Sequence, residues 1–231
     1  MNRMIAFEGP DGSGKSTIIK QLQTRMEERH LPVMVGRQPG GTPAGEAIRE
    51  IILDPNVELD AISQVYLLMA SRTEFLEQRV RPALLAGETV LCDRLDLSTI
   101  FYQTVVMKYK LIDRYGISTD TAKQVMAFHK KVNEISRESA EDIPLRYIIM
   151  DADDEVLNAR RPMSATDRFE SRDKAFQKDM RSFYRQYAGA NRNNPAVRVV
   201  DGTRPLTEDA LDALIDWVVE AEEVCPTKIT T

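Results

Sequence analysis

The chain has 231 residues, of which 42% are hydrophobic and 29% charged, a composition typical of a globular protein with one sizeable core. Its formal net charge of −5 argues against a general attraction to nucleic-acid polymers or anionic membranes. No apolar run is long enough to span a bilayer, and the first predicted strand begins too early to leave room for a signal peptide. We therefore expect a cytoplasmic protein with no nucleic-acid and no membrane partner.

Short apolar segments alternate with longer helical patterns along the chain. This alternation predicts an α/β fold in which a parallel sheet is flanked by helices on both faces. Ligands of such sheets bind at the carboxyl ends of the strands. The predicted strands span residues 3–8, 32–37, 89–93, 145–151 and 196–200, and the predicted helices span residues 16–29, 42–53, 60–86, 98–113, 119–138, 153–161, 169–188 and 206–221.

We predict a single domain over residues 1–223. Turn residues within a stretch of about 104–118 indicate a surface insertion. Pro162 interrupts the helical periodicity and predicts an exposed loop between helices at about residues 158–170. Residues 224–231 show little apolar periodicity, so we expect a flexible tail there.

The first predicted strand leads directly into Gly-Pro-Asp-Gly-Ser-Gly-Lys-Ser-Thr at residues 9–17, which matches the phosphate-loop pattern G-x-x-x-x-G-K-S. Backbone N–H groups of such a loop point at phosphate oxygens, and the helix that follows adds its positive N-terminal end. Lys15 can reach the β- and γ-phosphates, and the Ser16 hydroxyl can hold Mg²⁺. The predicted residues of this nucleoside triphosphate site are Gly9, Asp11, Gly12, Ser13, Gly14, Lys15, Ser16 and Thr17.

Two aspartates stand at the ends of predicted strands, where a carboxylate can position Mg²⁺ directly or through water. Asp93 is our leading Mg²⁺ partner together with Ser16, and Asp151 is a rival by the same argument. Both have a structural alternative as helix-capping residues. The alternative is stronger for Asp151, because the acidic residues after it are typical of a helix start.

A second phosphate site is predicted where the second strand ends. The segment Arg37-Gln-Pro-Gly-Gly-Thr42 couples an arginine to a glycine turn and a helix start. Arginine offers a forked donor to phosphate oxygens, and glycine lets the backbone approach closely. Alone, such a segment is more often an ordinary strand-to-helix turn. Because the same chain also contains a phosphate loop and Asp93-Arg94, we favour the phosphate-binding interpretation.

These motifs together resemble a known family. The chain contains FEGPDGSGKST at 7–17, RQPGGTP at 37–43, LLMASR at 67–72 with RPAL at 81–84, DR at 93–94 followed by DLST at 96–99 and YQ at 102–103, and DRFE at 167–170. In this order they are similar to the motifs of thymidylate kinases, over roughly residues 3–220. The resemblance implies a P-loop NTPase fold of the nucleoside monophosphate kinase type. It also implies transfer of the γ-phosphoryl group of ATP to dTMP with Mg²⁺, and a homodimer.

The resemblance also implies roles for individual residues. Lys15 would serve ATP, while Arg37 and Arg94 match arginines that bind the phosphate of the acceptor. Asp11 matches an acidic position that contacts the 3′-hydroxyl of the acceptor sugar, and Tyr102 matches an aromatic residue that crowds its 2′ position. Around the base, Arg72 matches the arginine that bonds the pyrimidine O4, and the remaining predicted pocket residues are Leu68, Ser98, Thr99 and Gln103.

Phosphoryl transfer requires positive charge on the migrating group, and residues 10–13 of the phosphate loop contain no arginine. The exposed loop at about 158–170 resembles the lid of the thymidylate kinase subtype whose lid supplies that arginine. Lid closure would also exclude water and limit ATP hydrolysis. The predicted catalytic residues are therefore Lys15, Arg94, Arg160, Arg161 and Arg168.

The chain departs from the family pattern mainly around the acceptor base. Gln38 stands where the family usually has glutamate, and Leu68 or Met69 stands where it often has a base-stacking phenylalanine. Leu95 and Thr104 also differ from the residues common in the family. A kinase for dUMP or a 5-substituted dUMP is therefore an alternative, as is a non-catalytic P-loop nucleotide-binding protein. A GTPase switch is disfavoured because the chain lacks an Asn-Lys-x-Asp segment.

Overall fold

The computed structural model describes residues 3–109, 140–160 and 174–220, together with residues 127, 131, 132 and 134. It contains a five-stranded sheet in the order β2-β3-β1-β4-β5, and every neighbouring pair of strands is parallel. This confirms the predicted α/β class. The strands are β1 (Met4–Glu8), β2 (Val33–Arg37), β3 (Thr89–Asp93), β4 (Leu145–Asp151) and β5 (Val197–Asp201).

Helices connect the strands, close to the bounds predicted from the sequence. The predicted helix at 119–138 and the predicted loop at 158–170 fall largely outside the described residues. Among the described residues, no helix is both long and apolar enough to cross a membrane. The helices are α1 (Lys15–Glu28), α2 (Pro43–Leu53), α3 (Ala61–Phe75), α4 (Arg81–Leu85), α5 (Asp96–Tyr109), α6 (Asp154–Arg160), α7 (Lys174–Ala190) and α8 (Glu208–Val219).

The central strand β1 is buried on both faces, and its first four residues are all apolar. Met4 and Ala6 face one hydrophobic cluster, and Ile5 and Phe7 face another on the opposite side of the sheet. All four side chains are at most 1% exposed. A strand buried on both faces requires a continuous apolar run instead of an alternating one.

The long helix predicted at 60–86 is interrupted. A π-helical turn, Leu76–Val80, separates α3 from α4. Such turns insert an extra residue into the helix and are often found at functional sites. The hydrophobic pattern did not reveal it, because Leu76 and Val80 remain buried on the same side as the core.

The strand register places the predicted site residues at one edge of the sheet. Asp93 on β3 pairs with Phe7 on β1 and with Arg37 on β2. The far side of the phosphate loop contacts the end of β5 closely, since a Cβ atom added to Gly202 would lie 1.9 Å from the Ser13 carbonyl oxygen. The phosphate loop therefore lies at the carboxyl ends of the strands, the edge of the sheet at which ligands are expected.

Candidate active site

The phosphate loop joins β1 to α1 and has three glycines with positive φ angles, namely 146° at Gly9, 83° at Gly12 and 93° at Gly14. Lys15 is 6% exposed, and its Nζ donates to the carbonyl oxygens of Gly9 (3.0 Å) and Pro10 (2.9 Å). Burial, and then the nearby Arg94, lower the pKa of Lys15 to about 8. The lysine is thus held inside the loop, where phosphate oxygens can replace those carbonyl contacts.

Asp93 and Ser16 meet beside this loop. The Ser16 hydroxyl donates to Asp93 Oδ2 at 3.2 Å, and Asp93 Oδ1 is buried with no hydrogen-bond partner among the described residues. A hydroxyl beside a carboxylate oxygen that lacks a partner fits Mg²⁺, which prefers oxygen ligands from one or two carboxylates and substrate phosphates. The rival Asp151 instead accepts hydrogen bonds from Arg185 (2.6 Å) and from the Ala152 N–H.

A cavity of about 210 Å³ opens next to the phosphate loop. Its polar wall is rich in arginine, and its other walls are largely aliphatic. The residues that line it are Asp11, Arg37, Gln38, Pro39, Arg49, Ile52, Leu53, Leu68, Arg72, Asp93, Arg94, Leu95, Ser98, Thr99 and Tyr102.

Arg94 is held in the cavity wall by its backbone conformation and by several side-chain contacts. It follows β3 directly and adopts a φ angle of 67°, a conformation that is uncommon for residues other than glycine. One guanidinium nitrogen donates to the Gly9 carbonyl (3.1 Å) and to Ser98 Oγ (2.9 Å), and the other forms an ion pair with Asp11. The guanidinium thus borders both the phosphate loop and the cavity.

Asp11 connects the phosphate loop to the cavity. One carboxylate oxygen pairs with Arg94, and the other accepts a hydrogen bond from the Tyr102 hydroxyl at 3.2 Å. Burial raises the pKa of Asp11, but the charges of Arg94 and Lys15 outweigh burial and lower it overall. Asp11 is therefore an anion that can accept a hydrogen bond from a substrate hydroxyl.

Arg72 on α3 lies deeper in the cavity and is 4% exposed. Its guanidinium donates to the Leu95 carbonyl oxygen at 3.1 Å and to the Thr99 hydroxyl. Leu68, one turn earlier on the same helix, also lines the cavity, so the aliphatic surface near Arg72 includes this predicted residue. The side chain of Gln103 lies outside the described residues.

The cavity rim is formed by Arg37 and by α2. The Arg37 side chain is 56% exposed and pairs with Glu46 at 2.7 Å. Arg49 donates to the Pro39 carbonyl oxygen at 3.0 Å and also lines the cavity, a role that we missed from the sequence. Its position on the same helix face as the buried Ile52, three residues on, was the available signal.

Of the three arginines predicted for the lid, the structure describes Arg160. Its guanidinium donates to the carbonyl oxygens of Gly12 (3.3 Å), Gly202 (2.7 Å) and Thr203 (3.2 Å). Arg160 therefore bridges the phosphate loop and the segment after β5. Arg161 and Arg168 lie outside the described residues.

The sequence analysis also missed Glu8, the last residue of β1. It is 0% exposed and accepts hydrogen bonds from α5 and α7, next to Arg94. A charged residue at the end of an otherwise apolar strand was the signal that could have identified it.

A phosphate loop, an adjacent carboxylate and a separate arginine-lined cavity on this parallel sheet define a P-loop kinase of the nucleoside monophosphate kinase type. The family model for thymidylate kinase matches residues 7–117. A thymidylate kinase from Symbiobacterium thermophilum is 35% identical over 90% of this chain and 89% of its own length. A thymidylate kinase from Deinococcus radiodurans is 34% identical over 94% of this chain and 96% of its own length.

A solved structure of thymidylate kinase from Candida albicans has the same fold, with a TM-score of 0.67 over 95% of this chain and 91% of that chain at 22% identity. The chain belongs to the thymidylate kinase family.

Proposed function

We propose that the chain transfers the γ-phosphoryl group of ATP to the 5′-phosphate of dTMP, producing ADP and dTDP. Family membership supports the reaction, and the non-catalytic alternative is not favoured. The observation that carries the proposal is the contact between the two halves of the site. Arg94 bonds Gly9 of the phosphate loop and Asp11, while lining the cavity that would hold the acceptor.

The donor half would bind the triphosphate through backbone N–H groups of the loop and through Lys15. Ser16 and Asp93 would hold Mg²⁺. Bound there, the ion would supply positive charge against the negative charge that develops on the phosphates during transfer. The protein itself contributes mainly position, because phosphoryl transfer depends on alignment of the attacking oxygen with the leaving group.

The acceptor half would bind the monophosphate at Arg94 and Arg37, which lie on the phosphate-loop side of the cavity and at its rim. Asp11 would accept the 3′-hydroxyl, and Tyr102 would occupy the space beside the 2′ position. The nucleophile is then an oxygen of the bound 5′-phosphate, and it attacks the γ-phosphorus as the bond to the β-phosphate oxygen breaks.

The base would be selected by Arg72 and the aliphatic wall. A guanidinium is only a donor, so it suits the O4 of thymine or uracil and not the N4 amino group of cytosine. Discrimination between thymine and uracil rests on one methyl group, which in an apolar pocket contributes ~1–3 kcal/mol. The relatives are thymidylate kinases, so dUMP and 5-substituted dUMP, the alternative acceptors of the sequence analysis, are not favoured.

The remaining features of the proposal come from the sequence. We propose positive charge from Arg160, Arg161 and Arg168 at the transferring phosphoryl group. If this is correct, at least one of the three alanine variants lowers kcat by about a hundredfold. Unchanged kcat in all three would mean that another group supplies the charge.

A homodimer and a cytoplasmic location are further parts of the proposal, to be tested by sedimentation and by fractionation.

The direct test supplies Mg-ATP with dTMP, dUMP, 5-hydroxymethyl-dUMP, dCMP, dGMP or UMP, and measures ADP release and the nucleoside diphosphate formed. We expect the highest kcat/KM with dTMP, a lower value with dUMP and little product with dCMP. ADP release without acceptor measures ATP hydrolysis and is the control. Absence of dTDP at saturating substrates would overturn the proposal, and preference for another pyrimidine would reassign the acceptor.

A further inference from the structure

The Glu8 carboxylate caps a helix that begins elsewhere in the chain. Its Oε1 accepts hydrogen bonds from the backbone N–H groups of Leu95 (2.8 Å) and Ser98 (3.1 Å), at the N-terminus of α5. The first N–H groups of a helix have no partner within the helix, and a negative charge there is stabilised by the helix dipole. Glu8 therefore caps the start of α5, which lies two residues earlier than the predicted start at 98.

The second carboxylate oxygen of Glu8 accepts hydrogen bonds from two side-chain hydroxyl groups. Oε2 accepts from the Ser98 hydroxyl and from the Tyr184 hydroxyl at 3.0 Å, and these two hydroxyl oxygens are themselves 3.0 Å apart. Ser98 and Tyr184 are 6% and 1% exposed. The three groups form a buried cluster that joins β1, α5 and α7, and we call it the Glu8 cluster.

The Glu8 cluster contacts Arg94 in two ways. Through the Leu95 N–H it anchors the residue that follows the left-handed turn at Arg94. Through Ser98 it acts on the guanidinium, because Ser98 Oγ accepts a hydrogen bond from Arg94 at 2.9 Å. A serine hydroxyl has one proton, and while that proton is donated to Glu8, its lone pairs are left for Arg94.

We propose that Glu8 and Tyr184 are positioning residues for the acceptor phosphate, because they fix Ser98 and the Leu95 amide and thereby the direction of the Arg94 guanidinium. The inference rests on the proposed function. It assigns a role to two residues that do not line the cavity, since the cavity wall contains Arg94 and Ser98 but neither Glu8 nor Tyr184. It also makes α7 part of the acceptor site through one hydroxyl group.

The test compares Tyr184→Phe with Tyr147→Phe in the full chain. Both variants remove a buried tyrosine hydroxyl that donates to a carboxylate next to the N-terminus of α5. The acceptor is Glu8 for Tyr184 at 3.0 Å and Asp96 for Tyr147 at 2.9 Å. We expect Tyr184→Phe to raise KM for dTMP and the calorimetric dissociation constant of dTMP about fivefold, the effect of one net hydrogen bond. KM for ATP is unchanged. Tyr147→Phe lowers thermal stability similarly and leaves dTMP binding at the wild-type value.

Glu8→Gln extends the test, because it keeps an oxygen for the helix N–H groups and replaces the other oxygen by a donor. We expect a larger loss of dTMP affinity than in Tyr184→Phe, again without a change in KM for ATP. Should Glu8→Gln fail to fold, the tyrosine pair alone decides the proposal.

A double-mutant cycle with Arg94→Lys shows whether the effect passes through Arg94. In the Arg94→Lys background, Tyr184→Phe should cause no further loss of dTMP affinity. Wild-type dTMP affinity in Tyr184→Phe, an equal loss in Tyr147→Phe, an equal rise in KM for ATP or additive losses in the cycle would each overturn the inference. Failure of the wild-type chain to phosphorylate dTMP would instead overturn the proposed function.

Discussion

The proposed donor and acceptor halves of the site are built in different ways. The phosphate loop consists of consecutive residues, 9–17, and its binding groups are mostly backbone N–H groups. The acceptor cavity is lined by side chains from the phosphate loop, the ends of β2 and β3, and α2, α3 and α5. A continuous motif is therefore recognisable from a short sequence, whereas the cavity exists only when several elements are packed together.

Replacement of Lys15, the buried lysine of the phosphate loop, should reduce activity more than any other substitution proposed here. Lys15→Ala removes the buried ammonium group from the loop, and we expect kcat/KM for ATP to fall by about 10³-fold or more. Circular dichroism should show a folded protein. Lys20→Ala, an exposed lysine further along α1, is the matched control and should retain activity. Activity close to wild type in Lys15→Ala would contradict the assignment of the donor half.

Arg94→Ala tests the link between the two halves. The variant loses the contacts to Gly9, Ser98 and Asp11, so we expect kcat/KM for dTMP to fall by about 10²-fold or more. These contacts also stabilise the fold, so the melting temperature must be measured in parallel.

Arg37→Ala changes an exposed arginine at the rim and provides the comparison for Arg94→Ala. If Arg37→Ala reduced kcat/KM for dTMP more than Arg94→Ala did, the acceptor phosphate would be assigned to the rim.

The pKa of Lys15 predicts a pH dependence that is specific to the donor half. The pKa of Lys15 in the free protein is about 8, whereas the ordinary pKa of a lysine is 10.5. Lys15 therefore loses its proton above about pH 8, and kcat/KM for ATP should fall about tenfold per pH unit there. Between these two pKa values the unfolded chain binds more protons at Lys15, so this group makes the free protein more stable as the pH rises.

The same titration provides its own control. With saturating ATP the phosphates keep Lys15 protonated, so kcat/KM for dTMP should lack the decline near pH 8. An identical decline for both substrates would show that the titrating group is shared and is not specific to the donor half.

The smallest expected effect concerns the packing behind the phosphate loop. Gly202→Ala places a Cβ atom 1.9 Å from the Ser13 carbonyl oxygen, so the loop must shift, and we expect a loss of about 1–3 kcal/mol in unfolding free energy. KM for ATP should rise as well. Gly189→Ala on α7 meets nothing within 4 Å and should stabilise the protein by about 0.5–1 kcal/mol. Urea unfolding of the two variants distinguishes these outcomes.

The strands were predicted to within one residue at each end, because buried parallel strands are short apolar runs bounded by turn residues. The π-helical turn at Leu76–Val80 and the early start of α5 were not predicted. Both depend on contacts with distant parts of the chain or on backbone geometry that leaves the hydrophobic pattern unchanged. The predicted domain bounds, insertion and tail stay predictions.

The site shows the same division. The sequence by itself determined the phosphate loop, the sheet class and the family, since each depends on consecutive residues or on motifs in order along the chain. Only the tertiary structure brought Ser16 to Asp93, made Asp11 the partner of Arg94, and placed Glu8 and Tyr184 behind Ser98. These contacts join residues as far as 176 positions apart, and side-chain direction and burial across such separations arise only when the helices pack on the sheet.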